Sequence, residues 1–250
     1  MEATGGIEQG AFCALWQAEL PCALANPKAV RRFTEAKGTL EKTGRIDAEV
    51  IARHAAARRT QPTQPSSQQQ QQLTALAARL RQATGDLSVQ KQRLHTTRDP
   101  MALASLREAV VFFTAKAKAL AAQIAALVEN DPVRTALDRT FRSVKGAADR
   151  TVAVLLAELP EIGTLSNKAI ANDSGTRSGK RSIPGGRIAV RSILYLVADV
   201  AREYDPTLAN FRQRLLDSGK TKTVVRVALG RKPLVRLNAK TRETRLTLAS

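Results

Sequence analysis

The stretch from Asn172 to Arg191, NDSGTRSGKRSIPGGRIAVR, places one serine among cations and glycines. Ser174 precedes Arg177, Lys180, Arg181, Arg187 and Arg191. A hydroxyl surrounded by cations suits attack on a phosphodiester: the cations hold the phosphate, stabilise its developing charge and favour the alkoxide. Gly175, Gly179, Gly185 and Gly186 allow backbone to approach a phosphate closely. The same composition also describes a plain basic loop in which the serine is incidental. A second stretch, Ser143-Val144-Lys145-Gly146-Ala147-Ala148-Asp149, places a glycine turn before an apolar helix, where amide N–H groups can meet a phosphate. A simple connection between helices fits it equally. Lys220, Lys222 and Arg226 add a third group of cations able to hold phosphates. Acids are sparse. Glu2 and Asp47 are carboxylates of the kind that hold Mg²⁺, but their spacing alone does not pair them.

The elements that must position these residues read mainly as helices. Leu73, Leu76, Leu80, Ala83 and Leu87 recur by threes and fours, and the frame runs on to Leu94. It restarts after Arg98-Asp99-Pro100 with Leu103, Leu106, Val110, Phe113, Ala117, Leu120, Ile124 and Leu127. This heptad seam predicts a long antiparallel hairpin, a coiled coil, over 73–131. Asp99 caps its second helix with Pro100 at the first position, and Asn130-Asp131-Pro132 ends it. A hairpin of this length spaces domains or joins subunits. Residues 60–72, TQPTQPSSQQQQQ, carry no charge and read as a linker, or in their glutamine run as the polar start of the next helix. Short helices follow at 133–143, 150–158, 187–203, 207–217 and 221–231. Val190, Ile193, Leu194, Val197 and Ala201 form one apolar stripe that leaves Arg187, Arg191 and Arg202 to face outward. Pro233 is expected to stop the last helix.

Composition narrows the partners. The 250 residues hold 40 Lys+Arg against 22 Asp+Glu, a net charge of +18, of which +13 lies in 132–250. Such a balance points to a polyanion, DNA or RNA before an anionic membrane. Aromatic residues are 4%, too few for a reader built on base stacking. Cys13 and Cys22 exclude a disulfide-dense secreted scaffold, and with His54 and His95 they make no zinc pattern, so buried thiols are expected. No run of 18 apolar residues and no signal-peptide pattern at Met1-Glu2-Ala3-Thr4 leave a cytoplasmic protein as the expectation.

Taken in order, several segments resemble the insertion-sequence 110/116 transposases, the DEDD serine recombinases related to Piv invertases. EATGG at 2–6 is similar to that family's second acidic motif, and NPKAVRRF at 26–33 to its asparagine–proline helix start. KTGRIDAEVIAR at 42–53 resembles the motif of its third and fourth acids, and the heptad hairpin its coiled-coil insert. SVKGAADRTVAVLLAELPEIGTLSNKAI at 143–170 resembles the start of its transposase domain, and DSG at 173–175 its nucleophile motif. GKRSIPGGR at 179–187 and VRSILYLVA at 190–198 continue the pattern.

The resemblance implies four regions: a partial RuvC-like α/β domain over 1–59, the linker 60–72, the hairpin 73–131 and a helical serine domain over 132–250. It implies DNA cutting and rejoining through a phosphoserine with Mg²⁺. Glu2 would be the second acid, Asp47 the fourth and Ser174 the nucleophile. It also implies a homo-oligomer, dimer or tetramer, whose subunits share active sites, and in some members a structured guide RNA. The family's first acid would precede Met1, and its third falls on Gly44, so the chain is expected to be a truncated and impaired copy. A segment that the family carries before DSG is missing, Ala148 replaces a glycine, and Pro233 replaces an apolar helical residue. Without the first strands, Ala23–Asn26 should be a strand lacking neighbours, with residues 1–60 poorly packed. The alternative function is a non-catalytic basic nucleic-acid-binding remnant that oligomerises through the hairpin. A helical scaffold whose charge only solubilises it ranks below both.

Overall fold

A computed structural model describes residues 1–36, 44–144, 147–167, 170 and 188–249; within these, the side chains of residues 44–47, Ile188 and Ala249 are not described. Among the described residues the protein is mainly α, with ten helices and a single β-bridge, and it divides into two compact units, Met1–Ser67 and Gln68–Ser250.

The first unit carries α1 (Gln9–Gln17), α2 (Pro27–Ala36) and α3 (Gly44–Arg58). The Asn-Pro pair starts α2 as its chemistry dictates: Asn26 Oδ1 accepts the Lys28 amide at 2.9 Å, and Pro27 occupies a position that needs no donor. Residues 1–3 pair with 23–25. The Met1 amine donates to Ala23 O at 2.8 Å, Ala25 N to Met1 O at 2.7 Å and Ala3 N to Ala25 O at 3.0 Å. The expectation of a neighbourless strand is thereby corrected, because the N-terminal residues supply one parallel edge to Ala25. The core here is small: Ala25, Val30 and Val50, with Phe33 and Ile51 against them. His54 lies beside it, edge-on to Phe33 with ring centroids 5.5 Å apart.

In the second unit, α4 (Gln68–Thr96) and α5 (Pro100–Glu129) form the hairpin. Asp99 caps α5 by accepting Ala102 N at 2.8 Å. The seam from Leu103 to Leu127 is the shielded side of α5, and Leu73, Ala77, Leu80 and Ala83 are its buried counterparts on α4. The helix begins inside the glutamine run because Gln70 has partners there. Its Nε2 donates to Leu156 O at 3.1 Å and Ala157 O at 3.0 Å, satisfying the carbonyl end of the next buried helix. By length and composition α5 is apolar enough to cross a membrane, the one such helix among the described residues.

Against the hairpin pack α6 (Pro132–Arg142) and α7 (Asp149–Glu158); α8 (Ile188–Tyr204) packs on α7, α10 (Lys222–Ala249) on α6 and α8, and α9 (Pro206–Asp217) joins α8 and α10. Residues Thr151–Ala157 of α7 are all buried, which explains a sequence with almost no polar face. The α8 stripe of Val190, Ile193, Leu194, Val197 and Ala201 is buried as its spacing predicts. Arg191, expected to face outward, is half-buried, and Arg202 turns back to donate to Asp199 O at 3.1 Å.

The last helix is the main departure from the sequence reading. It continues through Pro233 to Ala249 rather than stopping near 231. An internal proline costs about 3 kcal/mol in a helix. Here the ring is itself buried, and continuation buries Leu234, Leu237, Asn238 and Thr241 in the core. Four buried side chains beyond the break outweigh one missing backbone hydrogen bond.

Candidate catalytic residues and nucleic-acid interface

Ser174 and its neighbours Arg177, Lys180, Arg181 and Arg187 lie outside the described residues, as do Lys145 and Gly146. What is described is the scaffold on either side of that stretch. After α7 the chain turns through Leu159–Leu165, and Gly163 has φ +85. A Cβ at Gly163 would stand 2.7 Å from Thr241 Cγ2 and 3.0 Å from Arg242 N, so only glycine lets the turn lie against α10.

One helix clamps this turn. Asn238, fully buried, accepts Gly163 N at 2.9 Å and donates to Leu165 O at 3.0 Å and Asn167 Oδ1 at 2.8 Å. Arg242 donates to Leu165 O at 2.5 Å, and Arg245 to Ile162 O at 2.9 Å and Pro160 O at 2.8 Å. Three side chains from two turns of α10 therefore fix the segment that leads to buried Ile170 and the serine loop. Sequence reasoning missed this clamp because it ended the helix too early. The signal was present as Asn238, Arg242 and Arg245 at steps of four and three on one face.

The start of α7 shows a different balance from the one expected of an anion site. Asp149 stands in the first turn of α7 and pairs with Arg142 at 2.5 Å, while Arg142 also meets Asp138 at 2.7 Å. Asp138, then Asp149, hold this guanidinium firmly in its charged form. The positive end of α7 thus already faces a carboxylate.

Of the other cations, Lys220 and Lys222 are exposed around the start of α10. Arg226 is partly committed: it pairs with Asp199 at 2.7 Å and lies 5.5 Å from the centroid of the Tyr195 ring. Gly230 permits that packing, since a Cβ there would lie 2.9 Å from Tyr195 Cδ1.

In the first unit, Glu2 sits on the bridged segment and is half-buried; Asp47 lies in the first turn of α3, with its side chain outside the description. No group of three or more His, Cys, Asp or Glu residues converges as a metal site among the described residues. A carboxylate that the motif reading passed over organises the turn after Glu2. Glu8 Oε2 accepts Thr4 N, Thr4 Oγ1 and Gly6 N, each at 2.9 Å. Burial works to raise its pKa, but these hydrogen bonds outweigh it and hold the group at about 2. Cys13 and Cys22 are half-buried thiols, less enclosed than expected.

These features define a helical, strongly basic protein in which an acid-bearing unit precedes a long hairpin and a clamped serine-loop scaffold. Residues 1–99 match a family model described as Transposase, the DEDD type of insertion-sequence 110. Through this segment, the first unit and α4, the chain is similar to the insertion-sequence 110 transposases. No curated protein matches the chain.

Proposed function

We propose that the protein is a recombinase that cuts and rejoins DNA through Ser174. Its Oγ forms a bond to phosphorus while the sugar oxygen departs and takes up a proton. Attack by a hydroxyl of a second strand then releases the serine. Arg177, Lys180, Arg181, Arg187 and Arg191 would neutralise the phosphate, and Lys220, Lys222 and Arg226 would hold flanking phosphates. Glu2 and Asp47 would hold Mg²⁺, whose chemistry here is charge stabilisation at the phosphate oxygens. Their oxygens suit that hard ion, and two side chains leave most of its shell to water. The observation that carries this reading is the transposase match over residues 1–99, supported by the hydrogen bonds that hold the turn at 160–167, which precedes Ser174 in the chain.

The test is incubation of the full chain with duplex DNA and Mg²⁺, followed by denaturing electrophoresis. A protein–DNA adduct that disappears in Ser174→Ala is expected. An adduct that persists in that variant would assign the attack to another residue.

A second reading is favoured by Gly44, which stands where the family's third acid is expected. In it the chain binds nucleic acid, a structured guide RNA included, without catalysis. Met101, Val111 and Phe112, exposed on α5, support association of copies through the hairpin in either case. Salt-steep binding without Mg²⁺-dependent strand transfer would select this second reading. A cytoplasmic location is consistent with both.

A further inference from the structure

The corner formed by α8, α9 and α10 has a small core of its own. Ala198 and Ala201 of α8, Leu208 of α9, and Val225 and Leu229 of α10 are buried together, with Phe211, Leu215 and Leu216 against them. Between α9 and α10 lies a four-residue turn, Ser218–Thr221, with Gly219 at φ +75. Three helices sharing a core, the last two joined by a short turn through a left-handed glycine, are the parts of a helix–turn–helix.

The outward side of that unit is chemically unusual. Val225 and Leu229 fix which face of α10 is inside. Thr221, Val224, Ala228 and Arg231 recur at steps of three and four along the flank beside that face, with Thr221, Val224 and Arg231 exposed and Ala228 half-buried. Val224 is 45% exposed with cations on both sides. Lys220 and Lys222 stand at the tip of the turn, and Arg214 and Lys232 lie 5.5 and 4.8 Å from the centroid of the same Phe211 ring. From Pro206 to Arg236 there are eight cations and one carboxylate, Asp217, which accepts from Gln213. A stripe of methyl groups, a hydroxyl and a guanidinium, rimmed by lysines, matches what base edges in a major groove offer and what the flanking phosphates require.

We propose that α9 and α10 form a reader of duplex DNA, with the first three turns of α10 in the major groove. Thr221, Val224, Ala228 and Arg231 face the base edges, while Lys220 and Lys222 hold phosphates. The proposal rests on DNA being the substrate and adds a direct protein contact to its bases, separate from the serine loop.

The test uses the full chain and a labelled 30-base-pair duplex. Affinity is measured against salt, and guanine N7 is probed with dimethyl sulfate. Protection of N7 within the bound site is expected. Lys220→Ala with Lys222→Ala should shallow the slope of log K against log salt by about 2, at ~0.9 per phosphate contact. Val224→Glu, at an exposed position, should abolish N7 protection while the melting temperature stays unchanged. Duplex binding without N7 protection, or protection that survives Val224→Glu, overturns the reader and leaves the recombinase reading standing. A salt slope unmoved by the double substitution refutes the phosphate assignment, and stronger loss of a structured RNA than of duplex DNA transfers the surface to RNA. Failure to bind any duplex defeats both readings.

Discussion

Gly163 and Gly219 both have positive φ, and alanine at each should separate two costs that are usually mixed. At Gly219 the space around a new Cβ is empty within 4 Å, so only the left-handed backbone is penalised, by about 1–2 kcal/mol. At Gly163 the same penalty applies, and the Cβ also meets Thr241 Cγ2 at 2.7 Å and the backbone of Thr241 and Arg242 at 3.0 Å. Thr241 is buried within the helix that holds the turn, so it has no solvent to rotate into. Overpacking of this kind adds about 1–3 kcal/mol and pulls Gly163 N away from Asn238. The total for Gly163→Ala is about 2–5 kcal/mol. For a domain of this size 1 kcal/mol moves the melting temperature by about 2–4 °C, so losses of about 4–20 °C for Gly163→Ala and about 2–8 °C for Gly219→Ala are expected. Calorimetry of the two variants measures both. A Gly163→Ala protein that melts with or above Gly219→Ala would refute the packing argument, and with it the claim that α10 fixes the base of the serine loop.

Three further outcomes follow from particular side chains. Asn238→Ala leaves the buried Gly163 N–H without its acceptor, so a loss of about 2–4 kcal/mol in urea unfolding is expected, and a loss below about 1 kcal/mol would contradict the clamp. His54 is buried with neither ring nitrogen hydrogen-bonded, so His54→Leu should stabilise the first unit by about 1–2 kcal/mol; a destabilised variant in chemical melts would show that the imidazole has a use there. Glu8 is held at about 2 from 4.5, and Asp205, hydrogen-bonded by Thr207 and paired with Arg236, at about 2 from 3.8. Both are depressed, so their stabilisation is complete above about pH 4.5 and fades as pH falls towards 2. Circular dichroism against pH should show Glu8→Gln flattening that acid limb, and a limb of undiminished steepness would count against the Glu8 network.

The helices were legible wherever a period or a cap spoke for itself. The seam from Leu103 to Leu127 needed only steps of three and four, and the Asp-Pro pairs at 99, 131 and 205 mark helix starts whose carboxylates accept first-turn amides. Pro233 misled because local propensity was weighed without the core it enters. Nothing in the residues near it shows that Leu237 and Asn238 will be fully buried, since their partners lie some 70 positions earlier. The pairing of residues 1–3 with 23–25 was hidden for a similar reason: a parallel bridge leaves no alternation over three residues. At the candidate site, residue types pointed to a phosphate, but geometry could not be read from types. Sequence alone does not distinguish Lys220, which faces water, from Arg245, whose guanidinium is taken up by two carbonyls.

That distinction changes what the basic composition means. The net charge of +18 invites the inference that the whole C-terminal region is a polyanion surface. Along α10, however, Arg226 and Arg236 pair with carboxylates, and Arg242 and Arg245 donate to the turn that supports the serine loop. Their charges remain, but moving Arg242 or Arg245 to a phosphate would break a contact that holds the turn at 160–165. Exposed lysines bear no such constraint. Lys220 and Lys222 are exposed, and exposed Lys240 donates to the Ser143 hydroxyl at 2.9 Å. The division by residue type is physical: a guanidinium can bridge two fixed acceptors, whereas an ammonium on a flexible stem follows a mobile phosphate. Nucleic-acid binding by this chain should therefore depend on its exposed lysines more than on Arg236, Arg242 and Arg245 of α10, which act mainly through stability. Lysine-to-alanine changes would then shallow the salt slope at constant melting temperature, whereas Arg242→Ala and Arg245→Ala would lower the melting temperature first. A salt slope as sensitive to those two arginines as to Lys220 and Lys222 would show that composition, and not placement, sets the interface.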